Sequence, residues 1–348
     1  SHPAVQHAGL LHFHNLHGGY FNPFSLALLS NTKPSIWTLH DMQPLTGHCA
    51  HSFGCGRWVT GCHTCPALDT YPGVLTGSTH LLWQHKKAIY DESLLTVVVP
   101  SEWLRRKVQC SILSGHPLEL ICNGVDTDVF RPTAMHKARK ALGLPADCFL
   151  IGAVADFGPT ANPWKGGEYA MRAMEAVWSR WPDAYYLDIG AQRPPLYKRV
   201  LSTGRIDDPA RLALMLSALD VFLYPSLADT CPLVILEALA CAVPIVAFAT
   251  GGVPELLDDG VEGRVTPYRD EAQLIRALFD TLENSEMRER FRAAGRARAL
   301  ARYRHKAAVD RYEQVYHETI ERFERIAASA GERRLSPALT ALMLRPAP

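Results

Sequence analysis

The stretch Pro225-Ser-Leu-Ala-Asp229-Thr-Cys-Pro232-Leu-Val-Ile-Leu-Glu237-Ala-Leu-Ala-Cys-Ala-Val-Pro244-Ile-Val246 decides the fold. The apolar residues 221–224 before it predict a strand that ends in a polar loop. Pro232 suits a first helical turn, and Asp229 or Thr230 can cap it, so 232–241 is expected to be a helix. The apolar run 244–249 predicts another strand. A helix start offers unpaired N–H groups and the positive end of the macrodipole, which together attract anions. In an open α/β sheet that start faces the crevice beyond the strand ends. Glu237 lies one and a half turns into the helix, eight residues after Asp229. Both carboxylates can therefore border one ligand whose phosphates meet the helix start. The blander alternative makes Asp229 a plain cap and puts Glu237 on a solvated face.

Working outward, strands and helices alternate on both sides. Strands are expected at 10–14, 35–39, 94–99 and 118–122, then at 149–155, 184–190, 221–224 and 244–249. Helices are expected at 23–29, 79–91, 101–111, 166–181, 208–219, 232–241 and 253–258, then 270–281, 285–303 and 306–328. The run Leu94-Leu-Thr-Val-Val-Val99 suits a parallel strand buried on both faces. Such alternation means α/β architecture with parallel sheets and right-handed crossovers. Its restart near 148 predicts two sheets facing a cleft. The domain reading is 1–123, a connection at 124–147, a second domain at 148–305, a helix at 306–328 and a tail at 329–348, expected to be poorly ordered over 335–348.

The 348 residues carry 36 Lys and Arg against 35 Asp and Glu, a net charge of +1, which argues against nucleic-acid binding by charge. Hydrophobic residues reach 47 %, which excludes intrinsic disorder. No apolar run approaches the roughly 20 residues of a membrane helix. Nine Cys, an odd number, five of them among apolar neighbours, point to a reducing cytoplasm. Eleven of the fifteen His fall between His2 and His85, marking the first quarter as chemically loaded.

The opening stretch resembles the donor-binding motif of the retaining GT-B glycosyltransferases of family 4, the group 1 glycosyltransferases. In these, two acidic residues are separated by seven, the spacing of Asp229 and Glu237. The resemblance extends through Thr250-Gly-Gly-Val-Pro-Glu255, Leu219-Asp-Val-Phe-Leu-Tyr-Pro-Ser226, Cys122-Asn-Gly-Val-Asp126 and Phe130-Arg-Pro132, and covers about residues 10–325. It implies two Rossmann-like domains, an acceptor-side one first and a donor-binding one second. Relatives begin with a further strand and Gly-rich loop, so the first domain is expected to be incomplete.

Glu237 would then bond the ribose of a nucleotide-sugar, and Asp229 the transferred sugar. The N–H groups around Leu233 and Val234 would hold phosphate, and Lys165, in Trp164-Lys-Gly166, would neutralise the diphosphate. His40, in Trp37-Thr-Leu-His-Asp41, would face the sugar from the other domain. His12 and His14 would shape the wall. No metal is needed for catalysis in this family. Two departures stand out. Asp229 replaces the usual Glu, and Ala153–Asp156 stands where many members carry Arg. The implied acceptor is a saccharide or a lipid-linked sugar, and the implied place the cytoplasm or its inner membrane face. Alternatives on the same residues are a zinc-stabilised, catalytically impaired nucleotide-sugar binding protein, or a nucleotide-sugar epimerase.

The resemblance is strongest to a subfamily with a Cys-rich insertion. Here that insertion is Cys49-x5-Cys55-x6-Cys62-x2-Cys65, with His48, His51 and His63 interleaved. A C-x2-C pair is half of a tetrahedral zinc site, and four thiols in one polar loop suggest structural zinc; disulfides or free thiols are the alternative. Finally, 286–306 holds Arg288, Arg290, Arg292, Arg296, Arg298, Arg302, Arg304 and Lys306. This reads either as a surface for anionic lipid, giving peripheral membrane association, or as a solvated face.

Overall fold

The β-branched run around Val97 does become an interior strand, covered on both faces. The computed structural model describes residues 3–156, 158–192, 197–330, 335–337 and 339–340. It divides into one unit of residues 1–122 with 309–348 and another of residues 123–308.

In the first unit α1 (Pro3–His7) precedes β1 (Leu11–His14), followed by α2 (Phe24–Thr32) and β2 (Ser35–Thr38). A loop of some forty residues leads to α3 (Thr79–Asp91), then β3 (Thr96–Val99), α4 (Glu102–Gln109) and β4 (Leu118–Leu120). The strands lie in chain order, all parallel, with Leu11 opposite Ser35, Ile36 opposite Thr96 and Val97 opposite Leu118. Ser101 caps α4, its Oγ accepting from the Leu104 N–H at 3.3 Å. Leu26, Trp37, Met42, Leu45, Ile89 and Leu104 fill the core.

The second unit opens with a segment expected only to connect. Its helix α5 (Met135–Leu142) carries Arg139, which is buried against Asp220 at 2.7 Å and donates to the carbonyls of Ala146, Cys148 and Ala218. Asp220 also accepts from the Leu150 N–H. The buried charge pair is thus supported by four further hydrogen bonds, which tie α5 to the start of β5 and the loop before β8. Gly124 is required because a Cβ there would come within 2.4 Å of the His305 backbone, beside the bridge between Val125 and Arg304.

The elements then run β5 (Leu150–Val154), α6 (Gly167–Arg180), β6 (Tyr185–Ile189), β7 (Val200–Ser202), α7 (Pro209–Ser217), β8 (Val221–Tyr224), α8 (Leu233–Ala240), β9 (Ile245–Phe248), α9 (Val253–Leu256), β10 (Gly263–Thr266), α10 (Glu271–Glu283) and α11 (Ser285–Arg302). The six strands are parallel in the order β10-β9-β8-β5-β6-β7. From β5 the chain goes first to β6 on one side and later to β8 on the other. That reversal is the topological switch point, where such sheets open a crevice at their carboxyl ends. Strands β7 and β10 are short edge strands that the sequence pattern did not reveal.

The last helix, α12 (His305–Ala330), starts in the second unit, and from Val309 its residues belong to the first. The tail corrects the expectation of disorder over part of its length. Leu339 is 2 % exposed in the first unit's core, and the Ser336 N–H donates to Glu92 at 2.8 Å. Residues 341–348 lie outside the described residues.

The arginines of α11 are largely turned inward. Arg292 and Arg296 donate to the Ala242 and Ala240 carbonyls at the end of α8, and Arg288 to that of Thr281. Arg298 is buried against Asp258 and Glu262. Cations at a helix C-terminus satisfy its last carbonyls and complement its dipole. Four of the eight basic residues thus have partners inside the second unit. Among the described residues, no helix is long and apolar enough to cross a membrane.

Candidate functional site

Three loops of the second unit meet at the carboxyl ends of β5, β8 and β9. The loop after β5 places Trp164, whose carbonyl accepts from the Leu227 N–H at 2.8 Å and the Ser226 hydroxyl at 3.2 Å. Thr250, after β9, donates to the Ser226 carbonyl at 2.6 Å. Two glycines allow this closeness. Gly166 (φ +69°) faces the Pro225 carbonyl, 1.9 Å from where a Cβ would lie, and Gly251 (φ +56°) faces that of Asp229 at 1.7 Å.

Within this frame the structure brings together two residues that the sequence reading placed at one ligand. Lys165 Nζ lies 2.8 Å from Asp229 Oδ2, with side chains 27 % and 17 % exposed. The same oxygen accepts from the Tyr224 hydroxyl at 2.6 Å, and Asp229 Oδ1 accepts from the Thr230 N–H at 2.9 Å. Asp229 is thus oriented from three sides, and Tyr224, named for no role in the sequence, is one of them. Helix α8 begins beside it with Pro232 before the first turn and no side-chain cap. Leu233, at that first turn, is 49 % exposed, and Val234 is half-buried. The Asn123 side chain donates to the Cys231 carbonyl at 3.0 Å, which accounts for the Asn in the 122–126 motif.

Glu237 stands one turn after Leu233. Its Oε2 is buried with no hydrogen-bond partner among the described residues. Burial pushes its carboxyl up to about 7. A buried acceptor without a donor is costly, and a ligand hydroxyl is a fitting partner for it.

A cavity of about 220 Å³ lies at the carboxyl ends of β5 and β6, lined among others by Ala155, Gly190, Arg205 and Ile206. Next to its lining, Asp188 is buried, accepts from the Thr160 hydroxyl and leaves Oδ1 without a partner among the described residues. Burial raises its carboxyl above the usual range. Sequence reading missed both features, since one Asp inside an apolar strand carries no local signal.

In the first unit, His40 follows the end of β2 and its Nε2 lies 2.8 Å from His14 Nδ1. Burial holds His12, His14 and His40 below the usual histidine range, His12 at about 4 with help from its two neighbours. Asp41 meets His17 at 3.4 Å, and burial raises its carboxyl.

Cys49, Cys55, Cys62 and Cys65 all border one cavity of about 20 Å³ together with His48 and Trp58. His48 Nε2 lies 3.4 Å from Cys65 Sγ, and the Gly47 N–H donates to Cys62 Sγ at 3.1 Å. Burial raises the Cys49 thiol to about 11. As placed, no group of three or more His, Cys, Asp or Glu among the described residues is arranged to hold a metal ion.

Residues 149–284 match the family model described as glycosyl transferases group 1. The chain is 28 % identical over 304 residues to the putative colanic acid biosynthesis glycosyl transferase WcaC of Escherichia coli K12, covering 82 % of this chain and 72 % of that protein. It is 29 % identical over 261 residues to the phosphatidyl-myo-inositol mannosyltransferase of Mycobacterium leprae, covering 72 % and 67 %. Among solved structures it superposes on sucrose-phosphate synthase of Thermosynechococcus elongatus with a TM-score of 0.67 at 22 % identity, over 89 % of this chain and 73 % of that one. It also superposes on Anabaena HepE in complex with UDP-glucose, with a TM-score of 0.63 at 19 % identity, over 91 % and 80 %. Likeness at that identity speaks for the fold. With two parallel sheets and these neighbours, the chain has the GT-B fold, and its residues 149–284 are similar to the group 1 glycosyl transferases.

Proposed function

We propose that the chain is a retaining glycosyltransferase that moves a sugar from a nucleoside-diphosphate sugar to a saccharide or lipid-linked acceptor. The observation that carries this is the pairing of Asp229 with Lys165 at the start of α8, with the partnerless Glu237 oxygen eight residues on. Ribose hydroxyls supply the donors that Glu237 Oε2 lacks. The diphosphate sits against the N–H groups of Leu233 and Val234 and draws Lys165 to itself, so that Asp229 accepts from a sugar hydroxyl. Preorganised cations and dipoles stabilise the charge that develops on the leaving group. His40 of the first unit is assigned to the transferred sugar. The cavity near Arg205 and Ile206 has room for the nucleobase.

In the retaining step the acceptor hydroxyl attacks the anomeric carbon from the face that the diphosphate leaves. The carbon–oxygen bond to phosphate breaks, the new glycosidic bond forms, and the acceptor proton passes to a phosphate oxygen. The colanic acid and phosphatidylinositol named for the relatives support acceptors of saccharide or lipid type. Proton NMR of the first-formed product tests the stereochemistry: an anomeric configuration equal to the donor's is expected, and the opposite one overturns retention.

We also propose that Cys49, Cys55, Cys62 and Cys65 take up a structural zinc ion. The support is their donor chemistry and the ion-sized cavity they share. Binding would release the thiol protons, against the burial that raises the Cys49 and Cys62 thiols.

A further inference from the structure

Six side chains of the first unit join at the carboxyl ends of β1 and β2. Tyr316 OH lies 2.9 Å from His12 Nδ1, and His12 Nε2 lies 2.7 Å from Thr38 Oγ1. Thr38 Oγ1 in turn meets Tyr312 OH at 3.0 Å. His12 and His14, two apart on β1, share a face, and their ring centroids lie 4.1 Å apart. The last link is His14 Nδ1 to His40 Nε2 at 2.8 Å, with the two rings stacked 23° from parallel. The Tyr20 hydroxyl donates to the His14 carbonyl at 3.1 Å. His14 is therefore clamped by backbone, stacking and hydrogen bonding.

A hydrogen bond between two neutral imidazoles needs one ring to donate and the other to accept. If His14 carries its proton on Nδ1, then Nε2 of His40 accepts and the His40 proton sits on Nδ1. If His40 donates from Nε2, its Nδ1 is an acceptor. Either way the tautomer of one ring sets that of the other, with both protons on Nδ1 or both on Nε2, and burial favours the neutral form of both rings.

We propose that His14 is a positioning residue whose Nδ1 fixes the ring plane and tautomer of His40. Its consequence for turnover rests on the glycosyl-transfer reading above, in which His40 serves the transferred sugar. The tautomer claim itself stands on this chain alone.

Three variants separate the role from mere packing. The Asn side-chain amide reaches the place of a histidine Nδ1, and the Gln amide reaches that of Nε2. His14→Ala and His14→Gln should alter the ring-nitrogen pattern of His40 in histidine-labelled protein without ligand, and His14→Asn should restore it. The His40 signals are assigned by their loss in His40→Asn. An unchanged His40 pattern in His14→Ala overturns the proposal. With UDP-glucose, UDP-galactose, GDP-mannose and GDP-fucose as probes, nucleoside-diphosphate release should fall about tenfold in kcat for His14→Ala, with KM unchanged. His14→Asn should recover most of it. A normal kcat in His14→Ala overturns the functional role. If the unsubstituted chain releases diphosphate from none of these probes, the proposed function fails instead, and the spectra still decide the tautomer claim.

Discussion

Lys165 and Asp229 are 64 residues apart in the chain and 2.8 Å apart in space, on loops that leave two neighbouring strands of one sheet. The pair is half-buried and held from the Asp229 side by Tyr224 and the Thr230 N–H. A diphosphate offers Lys165 more negative charge than one carboxylate does, so ligand binding exchanges its partner.

Lys165→Ala should therefore weaken binding of the nucleoside diphosphate far more than of the free nucleoside. A charge-assisted contact is worth about 1.5–3 kcal/mol, so the expected loss is roughly ten- to a hundredfold for the diphosphate alone. Calorimetry on both ligands checks this. Equal losses would show that the lysine does not serve phosphate.

Glu237→Gln should move stability and binding in opposite directions. The native carboxyl, raised to about 7, holds a proton that the unfolded chain gives up near its ordinary 4.5. Between those values the native state binds more protons, so this group's contribution to stability falls as pH rises, by about 3 kcal/mol in all, and is then flat. Glutamine has no such charge, so Glu237→Gln should be the more stable protein above pH 7 and gain little at pH 5, by urea titration. The ribose hydroxyls donate best to the ionised form, so donor affinity of the parent should rise as pH climbs through about 7. A variant that is less stable at pH 8 would contradict a buried carboxyl whose Oε2 has no partner among the described residues.

Much of this site could be read before the fold was known, because its parts are local. Pro232 and the apolar runs on either side place α8 between β8 and β9, and a helix start at a strand end predicts where anions go. Asp229 and Glu237 follow from their spacing on that frame. What stayed hidden depends on distant contacts. Tyr224 reads as an apolar strand residue until Asp229 folds back onto it. Arg139 and Asp220 are 81 residues apart, so nothing local marked α5 as part of the second unit. Strands β7 (Val-Leu-Ser) and β10 (Gly-Arg-Val-Thr) hold only two and one large apolar residues, so no apolar run marks them. The arginines of α11 looked solvent-facing because charge alone cannot show that helix ends await them.

Gly251→Ala should disrupt the site from behind. The backbone is left-handed there, and a Cβ would lie 1.7 Å from the Asp229 carbonyl oxygen, so the two loops must part. Left-handed strain alone costs on the order of 1 kcal/mol, with the clash in addition. The expected result is a lower Tm together with weaker diphosphate binding, read by thermal unfolding with and without ligand. An unchanged Tm would mean that the loops are not packed as described.

Protein purified without chelator should contain about one zinc per chain by elemental analysis, and Cys65→Ser should lose it. A metal-free preparation in which thiol reagents titrate all nine cysteines after unfolding would contradict the zinc proposal.

The most direct test of the whole account is turnover by the purified chain and its Glu237→Gln variant, measured as nucleoside diphosphate released from a panel of UDP- and GDP-sugars. The account predicts that one donor is consumed by the parent, and that the variant loses about tenfold or more in kcat/KM on that donor while folding normally. Equal turnover by parent and variant, or none by either with any donor, would contradict it.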